Sequence, residues 1–467
     1  MPCIKERIGL KMKLLRKAGS SQRNVPLLLL TAAGVIEFIY ITMVSVPSYL
    51  GYYLAENYLI VPCLLFLGYF LQNRPDAFAG RRLLLGGAAV AWFMITQIQH
   101  KLSGMETQYI GNVFFVYLMA FPFASVMDDR ENSGILRMGK ILSAASLVLV
   151  GCTVILMLDL VPAGWKDFLY WDGTRLSVFW HPNISACYFM VGMGFCTVFL
   201  IQNKNPLVRV LLAAAVAVQF FAMALTNCRT TLLMTGALLG GIVFFGIFRG
   251  NWKRLLPGLL AALVILVGSF KLSGAIYQWN ADRIEAGIQV LLEETEGQGT
   301  DQYTVGEDGQ VKIPTKNAQD TLANDMASLN GRTYIWSAAV QALRDNKTIT
   351  WWGTEYSGTV ISVYAPRNVE HSHNSWMEVL MRTGIPGLLI ALVFTVISAT
   401  SAAKLILSPK TELWKKMVAM MTMCVMVAGF LEPYLFGPRT FYHVIDVIFF
   451  FCTGYLNYWC KPRKNAE

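Results

Sequence analysis

Apolar stretches of about 17 to 25 residues recur along this chain, each long enough to cross a bilayer as a helix. Few folds are compatible with that pattern. Backbone groups in hydrocarbon must be satisfied within their own segment, so the expected fold is all-α and polytopic. About twelve membrane helices are expected, over 27–47, 57–72, 83–99, 109–127, 141–160, 182–201, 209–225, 231–248, 257–276, 383–403, 415–432 and 440–459. Charge agrees with this reading. Only 15% of the residues are charged, where a soluble chain carries about a quarter.

The N-terminus is basic up to Arg23 and turns apolar near Leu27. The apolar run to about Pro47 is too long for a signal-peptide core, so it reads as the first membrane helix. Nine cysteines are scattered, with no Cys-x-x-Cys pair. Neither a disulfide framework nor a zinc signature is present in the sequence.

The connections between spans alternate in charge. One set carries Arg74, Arg81 and Arg82, then Arg130, Arg137 and Lys140, then Lys204 and Arg209. It continues with Arg249, Lys253 and Arg254, then Lys404, Lys410, Lys415 and Lys416, and ends with Lys461, Arg463 and Lys464. The positive-inside rule places this set and both termini in the cytoplasm. The net charge of +10 therefore reflects orientation and contact with anionic head groups, not nucleic acid.

The opposite set comprises 161–181, the turn from Thr226 to Thr230, and the segment from Tyr277 to Ser375. The expected organisation is a basic cytoplasmic N-terminus (1–26), membrane helices (27–276), an extracytoplasmic loop (277–382), further membrane helices (383–460) and a cytoplasmic tail (461–467). The loop's centre, Glu293 to Lys316, is an acidic insertion with a hairpin expected at Glu307-Asp308-Gly309. Farther on, Ile335, Ala338, Ala339, Ala342 and Leu343 recur at helical spacing, so Thr333 to Arg344 is expected as an amphipathic helix along the membrane face.

Several outward residues could carry chemistry. Arg175 precedes His181-Pro182-Asn183, Arg229 sits in a short turn between spans, and Arg332 precedes the amphipathic helix. Outward arginines run against the orientation bias and need partners. They read either as caps and head-group contacts or as a phosphate grip, because guanidinium binds phosphate oxygens bidentately.

His371-Ser372-His373-Asn374 closes the polar loop. Three readings stand for it: a metal site with Glu370 as the nearby carboxylate, a helix cap by Asn374 or Ser375, or a general base working near neutral pH. Glu37 and Asp446, within spans, read as packing partners or functional groups. Trp351-Trp352 reads as an interfacial anchor or a sugar platform.

Together these patches resemble the O-antigen ligase and O-antigen polymerase superfamily of bacterial envelope enzymes. Arg175 to Asn183 is similar to the family's arginine followed by Pro-Asn at the head of a span. Leu225 to Leu232 resembles its Leu-Thr-x-Ser-Arg turn, with Cys228 in place of the usual serine. Gly331-Arg332 with Trp336 looks like its loop arginine, and His371-Ser-His-Asn followed by Gly384-Ile-Pro-Gly387 resembles its most characteristic signature. The resemblance covers roughly 170–400. Two departures stand out: the Gly-x-Gly before the histidines is reduced to Gly353-Thr354-Glu355, and the acidic insertion is long.

The resemblance implies a glycosyltransferase in the bacterial cytoplasmic membrane. Its donor would be a glycan on undecaprenyl diphosphate, and its acceptor a hydroxyl of a glycan, lipid or protein at the outer face. His373 would be the base, with His371 as second choice or orienter, and Arg229 and Arg332, supported by Arg175, would bind the diphosphate. No cofactor is implied, and diphosphate leaves without needing a metal. A lipid-linked oligosaccharide transporter is the alternative, although its polar sites would be expected at the bilayer midplane.

Overall fold

A computed structural model of the chain describes residues 133–161, 169–178, 182–294, 304–305, 311–312, 332–354, 357–365, 368–369 and 371–432, with single positions at 91, 95, 98, 99, 435, 449, 452, 453, 456 and 460. The expected spans before residue 127, the one over 440–459, Glu37 and Asp446 lie outside these residues or touch them only at single positions.

The described chain is mostly helical. Its elements are α1 (Ser133–Met157), a hairpin of β1 (Leu169–Asp172) and β2 (Arg175–Val178), α2 (Pro182–Gln202), α3 (Pro206–Leu225), α4 (Arg229–Phe248) and α5 (Leu255–Glu294). Then follow a short pair, β3 (Thr304–Val305) and β4 (Val311–Lys312), three outer helices α6 (Arg332–Asp345), α7 (Lys347–Trp352) and α8 (Ser357–Tyr364), and finally α9 (Ser375–Leu407) and α10 (Leu413–Ala428). Six helices among the described residues are long and apolar enough to cross a membrane: α1 to α5 and α9. Each overlaps one of the spans expected from hydropathy.

Local chemistry explains the boundaries. Asn205 caps α3, its Oδ1 accepting from Leu207 N (3.0 Å) and Val208 N (3.4 Å), and Pro206 fills the first helical position, where no N–H is needed. Gly236 and Gly240 let α5 approach α4 closely: a Cβ on Gly240 would stand 3.0 Å from the Ala262 carbonyl. Small residues spaced this way are how membrane helices pack without a hydrophobic driving force between them.

Two cores result. The larger joins α1 to α4, α9, α10 and the β1–β2 hairpin around Phe189, Phe195, Phe394, Met190, Leu169 and Leu176. The smaller joins α6, α7 and α8 to α9 through Ile335, Ala339, Ala342, Ile349, Ile361 and Met381. The buried side of α6 is Ile335, Ala338, Ala339, Ala342 and Leu343, the set read from its spacing.

Three boundaries differ from expectation. The helix expected to end at 276 continues to Glu294, because polar partners await it. Tyr277 Oη lies 2.6 Å from Thr174 Oγ1, Asn280 Nδ2 donates to Thr174 O (3.2 Å), and Arg283 donates to Met157 O (3.3 Å). These bonds clamp the hairpin, itself unforeseen, against α5 and α1. The helix expected from 383 begins earlier, at Ser375, and breaks at Gly384 (φ 67°, ψ −174°). Pro386 has no N–H for the Arg382 carbonyl and its ring crowds that carbonyl, so the helix cannot run straight through. Third, the last span expected within the described residues, 415–432, is a helix of 16 residues, Leu413–Ala428, followed by turns to Glu432.

Candidate active site

The ends of α9 and α10 cap each other, and that capping builds the site. Asn374 caps α9, its Oδ1 accepting from Trp376 N (2.9 Å) and Met377 N (3.0 Å). Its Nδ2 donates to Phe430 O (3.0 Å), past the end of α10. Ser375 N donates to Gly429 O (2.7 Å), and Ser375 Oγ to Glu432 O (2.9 Å). Orphan donors of one helix thus meet orphan acceptors of the next. The consequence is that Glu432 is carried beside the histidine turn.

Glu432 is only 3% exposed. One carboxylate oxygen is ion-paired with the Arg332 guanidinium at the start of α6. The other, Oε2, stands 3.8 Å from His373 Nδ1. This carboxylate was not singled out in the sequence, where it is simply the last residue of an apolar span. The available signal was a carboxylate at a span end followed by Pro433.

His373 has φ 51°, a left-handed conformation uncommon for a residue with a Cβ. Its Nδ1 is buried and makes no hydrogen bond, while the side chain as a whole is 36% exposed. The exposed part of the ring is therefore its other edge. His371 packs against it, ring centroids 4.2 Å apart, and accepts the His373 backbone N–H on its own Nδ1 (3.2 Å). Trp336 Nε1 donates to Ser372 O (2.9 Å), tying α6 to the same turn.

Arg175 and Arg229 belong to a neighbouring part of this end. Arg175 Nε donates to Thr226 O (2.9 Å) and its Nη2 to Asn183 Oδ1 (3.0 Å), with Asp172 4.0 Å away. It braces the turn that delivers Arg229, the first residue of α4. In that turn Asn227 adopts φ 47°, and Cys228 Sγ lies 3.1 Å from Thr231 Oγ1. Helices α4 and α10 run in opposite directions: Met234 meets Cys424 (3.8 Å), and Met420 packs on Gly241. The start of α4, with Arg229, therefore lies at the end of the bundle that carries Glu432. Hence Arg332 and His373 share one carboxylate, Arg175 supports the Arg229 turn, and Arg175 is engaged by Thr226 and Asn183 rather than by Glu432.

Among the described residues, no three His, Cys, Asp or Glu side chains are grouped so as to hold a metal ion. A cap reading of the motif holds for Asn374, and it coexists with the unusual presentation of His373.

No curated protein matches the chain. A protein-family comparison matches residues 214–392 to O-antigen ligase, a stretch that contains Arg229, Arg332, His371 and His373 and excludes Arg175 and Glu432. With its several apolar helices, the chain is a multi-pass membrane protein. Over residues 214–392 it is similar to the O-antigen ligase family, the superfamily its sequence resembles.

Proposed function

We propose that this chain transfers a glycan from an undecaprenyl-diphosphate carrier to an acceptor hydroxyl at the outer face of the bacterial cytoplasmic membrane, with both its termini in the cytoplasm. The observation that carries the proposal is the grouping of His373, Glu432 and Arg332 at one end of an apolar bundle.

The chemistry follows from that grouping. A carboxylate facing Nδ1 favours the proton on that nitrogen, which leaves Nε2 on the exposed edge free to accept. The acceptor hydroxyl gives its proton to His373 Nε2 while its oxygen attacks the anomeric carbon. The bond from that carbon to the diphosphate oxygen breaks, and its electron pair leaves with the diphosphate. Attack opposite the leaving group inverts the centre. Charge developing on the diphosphate is met by Arg229 and by the donors of Arg332 not used on Glu432, since a guanidinium carries five N–H groups. Arg175 contributes by holding the Arg229 turn. His371 orients the base, because its Nδ1 is committed to the His373 backbone. The reaction needs no metal, since diphosphate is already a good leaving group.

His373→Ala in the producing host tests this reading, with chain amount in the membrane checked in parallel. Loss of transferred glycan with accumulation of lipid-linked donor is expected, because removing a general base costs about 10²–10⁴-fold in rate. The missing product, a ladder of repeats or a single attached glycan, distinguishes polymerase from ligase. Transfer at the normal rate would refute the proposal.

A further inference from the structure

Glu378 lies in the first turns of α9, with none of its surface exposed. It touches neither Glu432 nor the exposed edge of His373 in the contacts above, yet a buried carboxylate needs a full set of partners. Its Oε2 accepts from Ser372 N (3.1 Å) and Ser372 Oγ (2.9 Å). Its Oε1 accepts from Arg382 Nε (2.8 Å) and from the Ser357 hydroxyl of α8. Three stretches of chain therefore converge on one carboxylate: the start of α8, the histidine turn, and the part of α9 just before its break.

The important partner is Ser372, between the two histidines. Its N–H is held by Glu378 and its carbonyl by Trp336 Nε1 (2.9 Å). Both peptide planes flanking Ser372 are thereby fixed. The plane that follows leads into His373, whose left-handed φ of 51° is unfavourable for a residue with a Cβ. Released from Glu378, this turn has every reason to relax to negative φ, which swings the ring away from Glu432.

We infer that Glu378 is a positioning residue of this site, holding the Ser372 N–H and hydroxyl so that His373 Nδ1 stays against Glu432; this role rests on the reading of His373 as the base. It is a carboxylate for a specific reason. Ser372 N–H and Arg382 Nε–H are obligate donors on opposite oxygens. A glutamine of the same shape turns its NH₂ toward one of them whichever way it flips. Shape alone cannot replace the charge.

The test uses membranes containing the full chain, titrated with lipid-linked glycan extracted from the producing host. Glu378→Gln is expected to lower kcat by about a hundredfold, the scale of a displaced catalytic group, with KM for the extracted donor within about twofold. Glu378→Gln combined with Arg382→Met is expected to regain part of the loss. The amide NH₂ then faces Ser357, whose hydroxyl can turn to accept, while the amide oxygen serves Ser372. A residue needed only for folding would change the amount of chain rather than the kcat of what is present, and would show no such rescue. Normal kcat in Glu378→Gln, or a double variant no faster than the single one, overturns the assignment. His373→Ala in the same membranes separates the two readings. Normal transfer there removes the base and the role of Glu378 with it, whereas loss there with normal kcat in Glu378→Gln overturns the positioning role alone.

Discussion

Replacing Gly384 by alanine tests how the outer helices are attached to the membrane bundle. Gly384 has φ 67° and ψ −174°, a region essentially reserved for glycine, and forcing another residue into it costs about 1–3 kcal/mol. Space compounds the cost. A Cβ at this position would stand 2.1 Å from the Trp351 carbonyl oxygen and 2.3 Å from its carbon. These are backbone atoms at the end of α7 and cannot rotate aside. Overpacking of this kind adds about 1–3 kcal/mol, so the total is on the order of 2–6 kcal/mol. That cost falls on the seam between α7 and α9, where Thr354 N donates to Met381 O (2.7 Å), a carbonyl in the turn that the α9 break interrupts. Hydrogen–deuterium exchange on peptides containing Thr354, in detergent or nanodiscs, reads that seam directly. Even the lower figure corresponds to about thirtyfold faster exchange through local opening. Gly268→Ala is the control, since a Cβ there meets nothing within 4 Å. Unchanged protection around Thr354 in Gly384→Ala would refute the argument that the two backbones interlock at this glycine.

Two further outcomes follow from the same geometry. Glu432→Ala leaves the Arg332 guanidinium, 14% exposed, without its carboxylate, and breaking a buried pair from one side costs about 3–5 kcal/mol. A lower unfolding midpoint, followed through exposure of the buried cysteines to a thiol-reactive dye, is expected together with loss of transfer, and an unchanged midpoint would show that the pair is not desolvated. Asn374→Ala removes an N-cap and the bond to Phe430 O, for about 1 kcal/mol. A reduced midpoint and slower transfer are expected, and normal values of both would show that the reciprocal capping of α9 and α10 is dispensable.

Several features were legible because they depend on short-range pattern. The apolar lengths of α1 to α5 and α9 report their membrane spans directly, since hydrophobic thickness sets helix length. The spacing from Ile335 to Leu343 reports the buried side of α6, because helical periodicity places those side chains on one stripe. Asn374 was readable as a cap from its place before an apolar run. The hairpin of β1 and β2 was not readable. Its strands are four residues each, and their partners come from distant parts of the chain: Tyr277 and Asn280 bond Thr174 in the turn, and Thr226 O accepts from Arg175 of β2. Glu432 was missed for the same reason. Its place at a span end before Pro433 says nothing of its partners, Arg332 and His373, which lie far away in sequence.

The sequence by itself determined that the chain crosses a membrane many times, which connections carry the positive charge, and which histidines and arginines are candidates for transfer chemistry. Hydropathy, charge bias and local spacing are properties of neighbouring residues and survive without a fold. Which of those residues work together was decided only in three dimensions. The mutual capping of α9 and α10 brings Glu432 to His373. The α9 break lets α7 dock against α9. Buried Glu378 holds the turn between them. Glu432 and Glu378 act through the burial of a carboxylate among donors from separate segments, and the α9 break through close approach of two backbones; both are properties of the packed chain rather than of any stretch of it.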